Sequence, residues 1–109
     1  LCTSRYETWA RMVNEAMLCS HPCVVSRVVP AAGGLIVNND NGYVVDEPKA
    51  SLFVPAVLRY FALPLDKRQQ MGNAACQKAQ FFAYEPHIGN VVAAARYACS
   101  HAKQSTWRN

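Results

Sequence analysis

Trp9-Ala10-Arg11-Met12-Val13-Asn14-Glu15-Ala16-Met17-Leu18-Cys19-Ser20-His21-Pro22-Cys23-Val24-Val25-Ser26 is the stretch that decides the fold. From Trp9 to Cys19 the apolar positions are Trp9, Met12, Val13, Ala16, Met17 and Leu18. They recur three and four apart, as on one buried face of a helix. Arg11, Asn14 and Glu15 fall towards the opposite face. Pro22 disfavours a helical conformation at His21 and so stops the helix there. Cys23-Val24-Val25-Ser26 is then a short, mostly apolar run. Such a run after a helix is the mark of a buried strand in a parallel sheet.

Upstream, Leu1-Cys2-Thr3 reads as the tail of a strand already under way, and the chain does not begin with Met. A longer chain, of which this is the later part, is therefore expected. Downstream, Pro30-Ala31-Ala32-Gly33-Gly34 reads as a flexible loop and Leu35-Ile36-Val37 as a short element. Asn38-Asn39-Asp40-Asn41-Gly42 is dense turn chemistry, with Gly42 suited to a positive φ. Tyr43-Val44-Val45 follows as a second short strand.

The second half is helical in pattern. Ala50 to Leu63 carries Leu52, Phe53, Ala56, Val57, Tyr60 and Phe61 on one stripe. Pro55 limits where that helix can start. Asp66 to Phe82 is the next, with Met71, Ala74, Ala75, Ala79 and Phe82 as its stripe. Asp66 stands in its first turn, where the helix dipole favours a carboxylate. Glu85 to His101 is a third, carrying Ile88, Val91, Val92, Ala95 and Ala98. Gln104–Asn109 is expected to be a loose tail. The alternation of helices and short strands predicts an α/β layered domain, partly Rossmann-like, with a parallel sheet and a helical C-terminal tail. Residues 1–109 form one partial domain in this reading.

Composition narrows the function. At 109 residues and 51% hydrophobic, the chain can form one core but not a two-domain enzyme with its own cleft. No apolar run approaches the roughly 18 residues of a membrane span. The net charge of +4 comes from scattered basic residues, which argues against nucleic acid as a partner. It is compatible with a mild attraction to anionic small molecules or to a membrane surface. Five cysteines without a Cys-x-x-Cys pair read as reduced, mostly buried thiols of a cytoplasmic protein. Cys19, His21 and Cys23 are closely spaced, but a structural zinc site needs a second ligand pair, so no metal is expected.

Two carboxylates carry the chemical interest. Glu7 precedes the first helix and Glu15 lies about two turns inside it, with seven residues between them. The first amides of a helix have no intrahelical acceptors. Together with the dipole they favour an anionic group. Glu15 can accept hydrogen bonds from hydroxyls past the same helix end. A polyol phosphate ester meets all these features.

Glu7-x7-Glu15 followed by Ala16-Met17, then Cys19, Pro22 and Val24-Val25-Ser26, resembles the donor-binding half of glycosyltransferase family 4, the group 1 glycosyl transferases. Ala31-Ala32, Leu35-Ile36, Asn41-Gly42-Tyr43-Val44-Val45, Arg68, Met71-Gly72-Asn73-Ala74-Ala75 and Tyr84-Glu85 continue that pattern in order. The resemblance runs from Ser4 to about Ala98. It implies the C-terminal part of a retaining, hexosyltransferase-like enzyme of the GT-B fold. That enzyme takes a nucleotide-sugar donor and passes the glycosyl group to a sugar, lipid-linked or other acceptor, with no catalytic metal. By the same resemblance Glu7 matches the glutamate that contacts hydroxyls of the transferred sugar, and so takes the catalytic position. Glu15 matches the one that binds the ribose. The backbone of Thr8, Trp9, Ala10, Arg11 and Met12 matches the turn facing sugar and phosphate. The family's acceptor-binding N-terminal domain and its diphosphate-neutralising basic residues precede this stretch. The fragment alone is therefore expected to be inactive.

Departures from the pattern point to a second reading. Thr8 and Ala10 stand where the family usually has glycine, Leu18 and Ser20 where it has alanine and glycine, and Arg27 where an aspartate is common. Gly33-Gly34 replaces a frequent Pro-Asp/Glu pair. The alternative is a degenerate, non-catalytic binding or scaffold domain of the same fold. An unrelated small α/β nucleotide-binding protein is a third option.

Overall fold

The computed structural model describes residues 1–82 and 84–101, so the expected loose tail at Gln104–Asn109 lies outside the described residues. The described chain forms α1 (Arg11–Leu18), β1 (Cys23–Ser26), α2 (Pro30–Leu35), β2 (Gly42–Val45), α3 (Ala50–Ala62), α4 (Leu65–Gln80) and α5 (Tyr84–His101). β1 and β2 are parallel neighbours, in register from Cys23 opposite Gly42 to Ser26 opposite Val45. On the other edge of β1, Cys2 bridges Val25 in parallel, and its amide donates to the Val24 carbonyl at 2.9 Å. The expected incoming strand is thus present at one bridging residue.

The four residues of β1 are all buried, because helices cover both faces of the sheet. On one face Cys23 and Val25 meet Val13 of α1, Ala31, Ala32 and Leu35 of α2, and Ala75 and Ala79 of α4. On the other, Val24, Tyr43 and Val45 meet Phe53 and Ala56 of α3 and Met71 of α4. α4 therefore contributes to both layers. Met17, Leu35, Val13 and Val25 are among the largest fully buried side chains, each stabilising the fold by about 1.5–3 kcal/mol. The layered α/β architecture with a parallel sheet is the one that the alternation of elements implies.

Two expectations are corrected, those for residues 30–34 and for Gly42. Residues 30–34 are helical rather than a flexible loop. Pro30 occupies the first helical turn, where its fixed φ suits a helix start. Ala31, Ala32 and Leu35 all turn into the core. Burying that face outweighs the helix cost of two glycines, about 1 kcal/mol each. α3 starts at Ala50, as the sequence places it, with Pro55 inside the helix. Pro55 leaves the Ser51 carbonyl without an amide partner, which is tolerable because Ser51 is exposed to water.

Gly42 does not take a positive φ; Asn39 does, at 67°. Gly42 is needed for another reason, since a Cβ there would collide with the Cys23 carbonyl across the strand pair. The turn before it is fastened by Asn41, which is 1% exposed. Its Oδ1 accepts from the Val37 amide at 2.8 Å and its Nδ2 donates to the Leu35 carbonyl at 3.0 Å. The apolar stripe expected on α5 forms, with Ile88, Val91 and Val92 facing solvent.

Candidate functional site

The candidate site begins where the incoming segment leaves the sheet. Because Cys2 runs parallel to β1 beside Val25, Thr3 and Ser4 leave at the carboxyl end of the strands. In open parallel sheets that end forms the ligand crevice. Ser26, the last residue of β1, is fully buried, and its hydroxyl donates to the Ser4 carbonyl at 3.4 Å. The Ser4 hydroxyl in turn donates to Glu7 Oε1 at 3.1 Å. Glu7 is half-buried and is thereby held at the crevice end.

The chain then turns into α1 through Ala10, whose φ of 65° and ψ of 65° are left-handed. An alanine pays about 1–2 kcal/mol there that glycine does not. Ala10 is nevertheless 5% exposed, inside the core cluster, so its methyl is held by packing. Its carbonyl accepts from the Val13 amide at 2.9 Å. No side chain caps α1, and the first helical amides, those of Arg11 and Met12, have no acceptor within the helix. This turn thus ends in a helix N-terminus without a side-chain cap.

Trp9 packs against the outside of the fold, with about a third of its surface (36%) still exposed. Its ring lies over α2 so closely that a Cβ on Gly34 would stand 2.9 Å from Cη2. It also meets Phe82, just beyond α4, at 5.9 Å between ring centroids. The packing role that the sequence suggests for Trp9 is the one seen, and Gly34 is what makes room for it. Thr8 beside it is exposed, as are Arg11 and Met12. Glu15 is also exposed, and its carboxylate pairs with Arg11 at 3.3 Å one turn earlier. Glu7 and Glu15 therefore have different partners: a neutral hydroxyl for one, a guanidinium for the other.

Sequence reasoning missed three residues at this end of the sheet. Ser4 and Ser26 are small polar residues whose pairing across 22 positions leaves no periodic signal. Arg27 was noticed only as a departure from pattern. It fastens the next strand end, with Nε and Nη2 donating to Asp46 Oδ1 at 3.1 and 2.9 Å. A surface recess of about 450 Å³ lies along α2 and β2 and is lined by residues such as Arg27, Pro30, Gly33 and Asn38. None of residues 4–15 lines it. Its one charged side chain is already paired, so the hydrogen-bonded Glu7 turn is the better guide to chemistry.

The thiols divide by burial. Cys2 and Cys23 are buried, Cys76 is intermediate, and Cys19 and Cys99 are exposed, so fewer are buried than the composition suggested. Burial pushes the Cys23 thiol above its ordinary pKa, and nearby Cys2 adds to the rise. Among the described residues, no three His, Cys, Asp or Glu side chains are grouped to hold a metal ion. Likewise, no described helix is long and apolar enough to cross a membrane.

No curated protein and no solved structure matches the chain significantly. A family model does, that of the glycosyl transferases group 1, over residues 1–78. The matched span contains the Glu7 turn, the uncapped end of α1, both strands and most of α4. With that span covering well over half its length, the chain belongs to the group 1 glycosyl transferases.

Proposed function

We propose that this chain is the donor-binding part of a retaining glycosyltransferase of the GT-B fold, acting on a nucleotide-activated sugar. The observation that carries the reading is the placement of Glu7. It is held by Ser4 at the carboxyl end of a parallel sheet, one short turn before an uncapped helix. In this reading Glu7 accepts hydrogen bonds from hydroxyls of the transferred sugar, and Glu15 accepts them from the ribose. The backbone of Thr8, Trp9, Ala10, Arg11 and Met12 lines the sugar and the diphosphate. Charge that develops on the departing diphosphate is stabilised by the free amides and dipole of α1. Transfer then rests on positioning donor against acceptor, with no metal invoked.

The acceptor, a sugar, a lipid-linked sugar or another hydroxyl compound, is placed against an N-terminal domain of the same chain. Basic residues of that longer chain neutralise the diphosphate. Residues 1–109 by themselves are inactive in this reading, and the working site is cytoplasmic, at or near a membrane surface. The left-handed Ala10 favours catalysis over the degenerate scaffold. The turn keeps the backbone shape that glycine usually supplies, although it carries a methyl.

The test is transfer by the intact protein from UDP-glucose, UDP-N-acetylglucosamine, GDP-mannose and ADP-glucose. Glu7→Ala and Glu15→Ala are each expected to lower turnover by at least about a hundredfold, the scale of losing a transition-state contact. Wild-type turnover in either variant overturns the role given to that residue. Donor binding without any transfer by the wild type would favour the scaffold reading.

A further inference from the structure

We infer that Ser4 is a positioning residue: its hydroxyl sets the Glu7 carboxylate for the donor, and Ser26 sets Ser4. This rests on the reading of Glu7 as a donor-binding residue. A glutamate has three rotatable side-chain bonds, so a half-buried carboxylate at a crevice mouth is not fixed by burial alone. Ser4 Oγ donates to Glu7 Oε1 at 3.1 Å. Bonds to an ionised acceptor are stronger than those between neutral groups. Among the described residues Oε1 alone is engaged in this way, and Oε2 can accept from a sugar hydroxyl.

Ser4 can orient Glu7 only if it is itself held, and three contacts do that. The Ser26 hydroxyl, buried without exposure, donates to the Ser4 carbonyl at 3.4 Å. Cys2, two residues earlier, is bound to β1 through its amide at 2.9 Å. The Cys2 thiol also donates to Ser4 Oγ at 3.7 Å, a second contact on the same hydroxyl. The last residue of β1 is thereby connected to the carboxylate through a single intermediary.

The experiment is a double-mutant cycle on donor affinity in the intact protein, using the tightest binder among UDP-glucose, UDP-N-acetylglucosamine, GDP-mannose and ADP-glucose. Ser4→Ala is expected to raise Kd about tenfold, the loss of a bond to a charged group. In a Glu7→Ala background the same change is expected to raise it less than about twofold, because the effect runs through Glu7. Ser4→Thr keeps the hydroxyl and Ser4→Val does not, at equal shape. Thr is expected to bind within about threefold of wild type and Val to match Ala. Wild-type affinity in both Ser4→Ala and Ser4→Val overturns the inference, as does an equal loss with Glu7 absent. If Glu7→Ala itself binds every donor as wild type does, or wild type binds none, the donor reading fails and takes this inference with it.

Discussion

Gly72 of α4 lies directly over the backbone carbonyl of Ser20, close enough that a Cβ at residue 72 would stand 2.5 Å from that oxygen. This close approach lets α4 lie along α1, where Cys76 Sγ meets the Leu18 carbonyl at 3.3 Å one turn further on. The same packing puts Ala75 and Ala79 into the core without exposure. The obstructing atom is backbone, so it cannot rotate away.

Gly72→Ala is therefore expected to destabilise the domain by about 1–3 kcal/mol, the usual cost of overpacking. For a domain of this size that is a fall in Tm of roughly 5–15 °C. Thermal unfolding followed by circular dichroism measures it. An unchanged Tm would show that α4 does not lie this close to α1.

Ser20 offers the opposite change. α1 ends with Cys19 as its cap, and Ser20 beyond it takes a φ of 61°. The Ser20 amide donates to the Met17 carbonyl at 2.9 Å and the His21 amide to the Ala16 carbonyl at 3.0 Å. This is a Schellman ending, whose left-handed position is normally glycine. Ser20 is exposed, so no buried side-chain contact is lost on replacing it. Ser20→Gly is expected to stabilise by about 0.5–1 kcal/mol, the relieved strain less the entropy of a freer unfolded chain. A Tm that falls instead would mean that the hydroxyl has a role beyond the turn.

The fold was most legible where one physical rule acted alone. β1 fell at Cys23–Ser26 as the apolar run implies, and α1 ended before Pro22. The reading failed where tertiary contact overrode local preference. Gly33 and Gly34 suggest a loop, yet α2 forms because Leu35 and two alanines have a core to enter and Trp9 needs the space at Gly34. The stripe on α5 has correct helical spacing but faces solvent, since periodicity says which side chains share a face and not what covers it. At the site, Glu7 and Glu15 were visible because a family pattern marks them. Ser4 and Ser26 were not, because hydrogen bonds between distant small residues follow only from the sheet that brings them together.

Cys23 should make stability depend on alkaline pH. Burial holds its pKa in the fold above the ordinary thiol value, which is about 8.5. Above that pH the unfolded chain releases the proton while the folded one keeps it. Unfolding then becomes more favourable as pH rises, until the folded thiol also ionises. The stabilising contribution is full below about pH 8.5 and is lost above it. Urea unfolding at pH 7.5 and pH 9.5 should show a drop that Cys23→Ala reduces. The same burial predicts that Cys19 and Cys99, which are exposed, react with a maleimide long before Cys23 does. Rapid labelling of Cys23 would contradict its place in β1.

Glu15 allows stability and binding to be separated. Its partner Arg11 lies on the same helix, and the two side chains are 64% and 76% exposed. Exposed pairs four residues apart contribute only about 0.3–0.5 kcal/mol. Alanine is the best helix former, and its propensity offsets most of that loss. Glu15→Ala is accordingly expected to leave Tm within about 2 °C of wild type. If Glu15 accepts hydrogen bonds from the ribose, the same variant should bind the preferred nucleotide sugar at least about tenfold more weakly. Arg11→Ala gives the contrast, because it removes the ion pair but leaves the carboxylate free for the ribose. It should therefore keep or improve affinity at a similar small effect on Tm. Equal loss of affinity in both variants would move the binding role from Glu15 to the ion pair, and unchanged affinity in Glu15→Ala would leave that carboxylate an ordinary solvated helix residue.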